Sequence, residues 1–283
     1  MRMEAVAALE RLGGIAGYRD VLALTSRKRL RVAVAAGRIL RVDHGRYALP
    51  EGDLAHDAVR RLRGHLSHLS AARRHGWEVA RIPQWPQLVV PPGTEVPIDL
   101  ARAETWPHVV VRRDLEAGVT GKLLTVLLCA RDLPFADALA VADSALRHGD
   151  VTEEDLRSAA ASWPDHAQRV AAYADGRAAN PFESVLRAHA VEAGLGVVPQ
   201  WEICVDGAIH HVDLADPVRG VVLEADSWEF HSGKEAFERD CRRYNRLVLA
   251  GWIVLRYTWR QVMLGGGWVV QELSQLAGRL DVA

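Results

Sequence analysis

Hydrophobic positions near the start of the chain recur with helical rather than strand spacing. Val6, Leu9 and Leu12 mark one apolar stripe, and Val21 and Leu22 begin another. Residues 4–12 and 18–24 are therefore predicted helices, separated by the sequence GGIAG. Thr25 or Ser26 is placed to cap a third helix over residues 26–36, which Gly37 ends. The period then drops to two in RILRVDHGRYALP, where apolar and polar residues alternate about His44-Gly45, a β-hairpin signal. Three helices followed by a two-stranded ribbon make a winged helix-turn-helix.

Beyond this, residues 54–76 read as helical, with a short SHLSAARRHG segment. Residues 82–112 carry several prolines and the apolar runs Leu88-Val89-Val90 and Val109-Val110-Val111, which predict short strands. Apolar-rich helices are expected over 121–130 and 135–147, and T-E-E-D at Thr152 predicts another helix start. Residues 80–175 hold no motif that carries chemistry; Trp85, Trp106 and Trp163 are expected to fill a core. The small, polar stretch 173–180 marks a boundary. From Pro181 the order becomes helix 181–193, strand 200–206, strand 208–215 and strand 220–225, the strands joined at Asp206-Gly207 and Asp216-Pro217. A helix over 234–250, a strand over 252–257 and a helix from Trp259 complete the order αβββαβα. The expectation is a mixed α/β chain with a winged helix over 1–50, an α+β connecting region over 51–175, and an α/β domain over 181–283.

Composition narrows the setting. A hydrophobic fraction of 49% and a charged fraction of 25% are ordinary for a globular protein. No apolar run approaches the roughly 18 residues that predict a membrane span, and the first residues lack the layout of a signal peptide. Cys129, Cys204 and Cys241 have no metal-binding spacing. A cytoplasmic location is expected. The net charge of −1 hides a local excess: Arg19, Arg27, Lys28, Arg29, Arg31, Arg38, Arg41 and Arg46 face only Asp20 and Asp43 between the two tyrosines 18 and 47. Arg27, Lys28, Arg29 and Arg31 open the third helix, where a recognition helix meets double-stranded DNA, with Arg41 and Arg46 on the wing. A solvated helix face is the alternative reading of the same residues.

The chemistry concentrates in 212–231, VDLADPVRGVVLEADSWEFH. Asp213 and Glu224 fall late on two neighbouring apolar strands. Buried carboxylates need protons, partners or a cation, and neighbouring strands lie about 5 Å apart, close enough for both to reach one divalent ion. Glu183, in the first turn of the preceding helix, is a candidate third oxygen ligand. Asp226 is either a further ligand or a structural partner, being two residues from Glu224 on the same strand face. His210, His211 and His231 read as surface hydrogen-bonding groups rather than ligands. The helix 234–250 is expected to bury Phe237, Cys241, Tyr244 and Val248 and to present Arg239, Arg242, Arg243 and Arg246 on another side, suited to phosphate oxygens. Trp228, Trp252 and Trp259 are expected in the core.

The motifs NPFESVLRAHA, HHVDLADP, VVLEADSWEFH, FERDCRRYNRLVLAGW and VLRYTW, in this order over about 181–264, resemble the family related to very-short-patch-repair (Vsr) endonucleases, within the PD-(D/E)xK nuclease superfamily. The resemblance implies a restriction-endonuclease-like fold, Mg2+ or Mn2+ as cofactor, DNA endonuclease activity, and Glu183, Asp213 and Glu224 as metal ligands. The lysine of the superfamily's name is replaced by Asp226. Lys234, the only lysine of this domain, is a displaced candidate, with Arg243 or His231 as other groups for phosphate or water. The sequence GYRDVLALTSRKRLRVAVAAGRILRVDHGRYALP, with HLSHLSAARRHGW after it, resembles the AbiEi-family antitoxins. That resemblance implies a DNA-binding repressor of a toxin–antitoxin operon, with a cognate toxin or a second copy of the chain as partner and an inactive nuclease fold as the alternative to catalysis.

Overall fold

The computed structural model describes residues 3–282 except 13, 44, 101–102, 117 and 227–233, and leaves aside the side chains of 42, 43, 50–54, 56 and 234–237. The fold is mixed α/β. The chain divides into two compact units, Met1–Cys129 and Ala130–Ala283.

The first unit begins with α1 (Ala5–Arg11), β1 (Ile15–Gly17), α2 (Tyr18–Leu24), α3 (Arg27–Ala35), β2 (Leu40–Asp43) and β3 (Arg46–Ala48). Ser26 caps α3 by accepting a hydrogen bond from Arg29 N at 3.2 Å, and Gly37 leaves the helix at φ 67°. Leu9, Val21, Leu30 and Ile39 are buried in one core, each side chain contributing about 1.5–3 kcal/mol. The ribbon is a three-stranded sheet of order β1-β3-β2, because Ile15–Gly17 in the GGIAG stretch pairs antiparallel with Arg46–Ala48. Three residues are too few for periodicity to reveal a strand, so only the pairing partner discloses it. His44, expected at the tip of the hairpin, lies outside the described residues; Gly45 beside it has φ 72°.

The rest of this unit is α4 (Pro50–Leu62), β4 (His65–Leu66), α5 (His68–His75), β5 (Gln87–Val90), β6 (Glu104–Pro107), β7 (Leu115–Glu116), β8 (Val119–Thr120) and the start of α6 (Lys122–Asp132). Its sheet runs β6-β5-β4-β8-β7. The helical stretch expected over 54–76 is thus two helices, the second within the SHLSAARRHG segment, with a strand between that the pattern did not show. Arg63 turns left-handed (φ 51°), and Gly64 lies so close to β5 that a Cβ there would sit 2.8 Å from Val89 O. Leu88-Val89-Val90 forms the expected strand. Val109-Val110-Val111 does not, and Val109 is exposed. Trp85 and Trp106 are half-buried; Trp77 is the buried tryptophan.

The second unit takes in α7 (Phe135–Arg147), α8 (Glu153–Ala160), α9 (Asp165–Tyr173) and α10 (Pro181–Glu192), then β9 (Val198–Val205), β10 (Ala208–Asp216), β11 (Val221–Asp226), α11 (Lys234–Leu249), β12 (Ile253–Thr258), α12 (Trp259–Leu264) and α13 (Gly266–Leu280). The order αβββαβ from Pro181 is as the pattern predicts. The sheet runs β12-β11-β10-β9, with β11 and β12 parallel and the other pairs antiparallel. Asp206 (φ 50°) and Gly207 (φ 77°) make the tight β9–β10 turn. Asp216 fixes the next turn by accepting from Gly196 N, Val218 N and Arg219 N.

Residues 130–175, expected in a connecting domain, belong to this unit. Arg187 of α10 donates to both oxygens of Asp143 in α7 at 2.6 Å, with both groups buried. Two opposite charges buried this deeply hold the helices together. The stripe expected on α11 is rotated. Leu247 is fully buried and Tyr244 packs against the sheet core, whereas Val248 is exposed and Cys241 only partly covered. Trp252 is half-buried, Trp259 exposed, and Trp228 lies outside the described residues.

Candidate carboxylate site and nucleic-acid face

Leu214 pairs with Leu223 and Ala215 with Val222. One step further out, Asp213 and Glu224 therefore share one face of the sheet. Glu224 is buried and Asp213 half-buried. Each carboxyl lies close enough to perturb the other's proton affinity, and Asp213 Oδ2 accepts from Ala225 N at 2.8 Å. Burial, then the charge of Asp213, pushes the Glu224 carboxyl up to about 8. Burial also raises Asp213. Both groups are therefore biased toward the neutral form until a cation offsets their repulsion.

Glu183 stands at the start of α10, and sequence and structure agree on why. Asn180-Pro181-Phe182-Glu183 is a capping arrangement: Asn180 accepts from Glu183 N at 3.0 Å, and its amide donates to Glu183 Oε1 at 2.7 Å. The other oxygen accepts from Ala179 N and from Gln200 Nε2, both at 2.9 Å. Burial raises this carboxyl, with Asp213 adding repulsion. Glu183 is thus near the pair electrostatically, but both its oxygens are engaged. Gln200 joins the site from β9, where its backbone turns left-handed at φ 50°. Nothing in the local pattern marks it; the signal is its place in the β9–β10 pairing, between Trp201↔Val212 and Pro199↔Leu214.

Two guanidinium groups reach the carboxylates. Arg243 Nη2 donates to Glu224 Oε1 and to His211 O, both at 2.6 Å, and Arg256 Nε donates to Asp226 Oδ2 at 2.6 Å. Both guanidiniums stack on Tyr244, at 5.4 and 4.2 Å from the ring centroid. Burial and the charges of Glu224 and Asp226 raise the Tyr244 hydroxyl, so it stays protonated. Arg243, expected on the outward stripe of α11, therefore turns into the carboxylate cluster, while Arg239, Arg242 and Arg246 are exposed and Arg242 lies 3.6 Å from Glu238. Arg256 is a site residue that the strand pattern did not single out.

The hard oxygen donors of Asp213 and Glu224 suit a divalent ion, and their mutual destabilisation is what such an ion relieves. The wider set expected with Glu183 and Asp226 does not converge: among the described residues, no three His, Cys, Asp or Glu side chains form a group able to hold a metal. The fit is that of a two-carboxylate site with a guanidinium already on one member. His211 enters the cluster only through its main-chain oxygen, its imidazole being exposed and 3.7 Å from Glu202, and His210, expected at the surface, is partly buried. His231 lies outside the described residues, as does the side chain of Lys234 in the first turn of α11.

In the first unit, Arg27, Lys28, Arg31, Arg41 and Arg46 are exposed. Between α3 and the hairpin runs an open groove of about 830 Å³, floored by Leu30, Val34 and Tyr47 and rimmed by Arg27, Arg31 and Arg41. Arg27 is steadied by Tyr18, whose hydroxyl accepts from Nε at 2.7 Å. Arg29 instead turns back to Met3 O and Glu4, tying α3 to the start of α1. Among the described residues, no helix is long and apolar enough to cross a membrane.

No family model matches the chain. It is similar to two proteins of Mycobacterium tuberculosis named as uncharacterized proteins, MT2308 of strain CDC 1551 and Rv2248 of strain H37Rv. Each is 31% identical over 144 residues, covering 48% of this chain and 53% of the relative. The chain spans about half the length of these curated relatives. A crystal structure of the RV2827C protein from the same organism aligns over 72% of this chain and 88% of its own, at 19% identity and a TM-score of 0.32, too distant to support any conclusion.

Proposed function

We propose that the chain is a DNA-binding protein whose C-terminal unit is a Vsr-like, divalent-cation-dependent endonuclease domain acting on cytoplasmic double-stranded DNA. The observation that carries this reading is the Asp213–Glu224 pair: two desolvated carboxyls on neighbouring strands, mutually repelling, with the start of α10 beside them. Bound there, Mg2+ or Mn2+ would supply charge stabilisation for a scissile phosphate and a lower pKa for an attacking water. Asp213 and Glu224 hold the oxygen donors in register through the β10–β11 pairing. Glu183 and Gln200 brace the base of the site, and the exposed arginines of α11 suit neighbouring phosphates. The winged helix supplies duplex affinity through Arg27, Lys28 and Arg31, with Arg41 and Arg46 on the wing. Purified protein with Mn2+ is expected to nick supercoiled plasmid, and Asp213→Ala to lower the rate at least about 100-fold, in line with loss of a metal or acid–base group. Equal cleavage by both proteins would mark the activity as contamination and end this reading.

A second reading has an observation of its own. Arg243 on Glu224 and Arg256 on Asp226 already neutralise part of the cluster, as expected of an AbiEi-like antitoxin or repressor with a non-catalytic nuclease fold. It predicts metal-independent, salt-sensitive binding to the chain's own promoter that Asp213→Ala leaves intact, with no nicking under any cation.

A further inference from the structure

Arg243 is the one cation of α11 that leaves the solvent face among the described side chains, and its position is specific. Its Nη2 spans Glu224 Oε1 and the main-chain oxygen of His211, so it bridges β11 and the neighbouring strand β10. The guanidinium side chain remains 27% exposed while the Glu224 side chain is 4% exposed. One partner is locked in; the other has a path out. Tyr244, adjacent in sequence, offers its ring to Arg243 at 5.4 Å and to Arg256 at 4.2 Å, and Arg256 is anchored on Asp226. Arg256 thus has a fixed acidic partner outside the Asp213–Glu224 pair, whereas Arg243 uses one member of that pair as its own.

We propose that Arg243 is an exchangeable counter-ion that couples phosphate to the carboxylate pair: it holds Glu224 in the free protein and releases that carboxylate to a divalent cation when a DNA phosphate takes the guanidinium. This rests on the nuclease reading above and adds to it a dependence of cation binding on substrate. The chemistry is an exchange of partners. A guanidinium binds phosphate oxygens in the same forked way that it binds a carboxylate, so transfer of Arg243 costs few hydrogen bonds. It leaves Glu224 and Asp213 as two adjacent carboxyls with no positive charge between them. A divalent ion then takes the same oxygens and releases to solvent the proton that Glu224 keeps in its absence. Premature loading by free cations is opposed, because an entering ion has to displace a guanidinium already hydrogen-bonded to Glu224. Linkage makes the effect reciprocal: whatever factor duplex DNA adds to cation affinity, the cation adds to duplex affinity.

The test measures Mn2+ binding to the full chain by calorimetry, with and without a duplex of about two helical turns carrying phosphorothioate linkages to block cleavage. The wild type is expected to bind Mn2+ about tenfold more tightly with the duplex present, within the usual range of coupling factors. Arg243→Gln is expected to bind Mn2+ more tightly than wild type without the duplex and to gain less than about twofold from it. An Arg243→Gln protein that binds Mn2+ no better than wild type and keeps the full duplex effect overturns the exchange while leaving the cation site in place. Mn2+ binding that Asp213→Asn leaves unchanged overturns the site itself, and the exchange with it. Glu224→Gln, which keeps the size of the side chain and removes a buried titratable group, is expected to fold and approaches from the other side. With Arg243 no longer held by a carboxyl group, its cation-free duplex affinity is expected to rise several-fold; an unchanged or lower affinity counts against the exchange.

Discussion

At the scale of single residues, the most consequential property is the proton affinity of Glu224. Its carboxyl rises from an ordinary 4.5 to about 8 because burial and Asp213 both disfavour the anion. The folded state therefore keeps a proton that the unfolded chain releases. Stability from this group is fully present below about pH 4.5, declines as pH rises, and levels off above about 8. In cation-free buffer, the melting temperature of wild type relative to Glu224→Gln is expected to fall between about pH 5 and 8; a pH-independent difference would contradict it. Asn180→Ala is expected to cost about 1 kcal/mol in chemical denaturation for the lost cap, and more if Glu183 then loses its grip on Gln200. Asp213, Glu224 and Glu183 were legible as candidates because acidic residues late on apolar strands, or in a helix's first turn, are conspicuous. Their partners were not. Arg243 stood out only as a group for phosphate or water, and Gln200 and Arg256 are ordinary polar residues until the strand pairings bring them to the carboxyls.

At the scale of elements, local signals worked where they act locally. Ser26, Thr152 and Asn180 cap the helices they precede, each side chain accepting from the backbone N–H three residues on. The Asp206-Gly207 turn joins the strands it was expected to join. The signals failed where another element decided the outcome. Residues 54–76 have helical composition throughout, yet the approach of β5 at Gly64 forces a strand into the middle. Gly64→Ala is accordingly expected to destabilise the protein by about 1–3 kcal/mol, the usual cost of overpacking, which urea denaturation would register; an exposed helical glycine would instead gain stability from the same change. On α11, the heptad-like run Phe237, Cys241, Tyr244, Val248 was a fair apolar stripe, but Leu247 supplies the better knob for the sheet and turns the helix. That rotation carries Arg243 inward.

For the whole molecule, the boundary expected near residue 175 dissolves because Asp143 and Arg187 join α7 to α10. Removing one member of a buried pair leaves an uncompensated charge, at about 3–5 kcal/mol. Arg187→Met is expected to show a loss of this size, and a fragment of residues 181–283 to lack a cooperative melting transition that residues 130–283 retain. The basic face of the winged helix predicts a steep salt dependence of duplex binding. Replacing Arg27 and Arg31 together with Ala is expected to lower the slope of log affinity against log salt by about 0.9 for each phosphate that is no longer neutralised. An unchanged slope would place DNA elsewhere on the molecule.

Much of this architecture was readable along the chain: the order of elements in the N-terminal helices and from Pro181 onward, the capped helix starts, the basic helix and wing, and the acidic residues that line up on β10, β11 and the start of α10. These follow from hydrophobic period, turn chemistry and charge, which operate over a few residues. Other outcomes emerged only from three-dimensional packing: which residues meet across the sheet, that residues 130–175 join the C-terminal unit, and that Asp226 takes Arg256 while Glu224 takes Arg243. They depend on strand register and helix rotation, which are set between segments far apart in the chain and leave no local period to read.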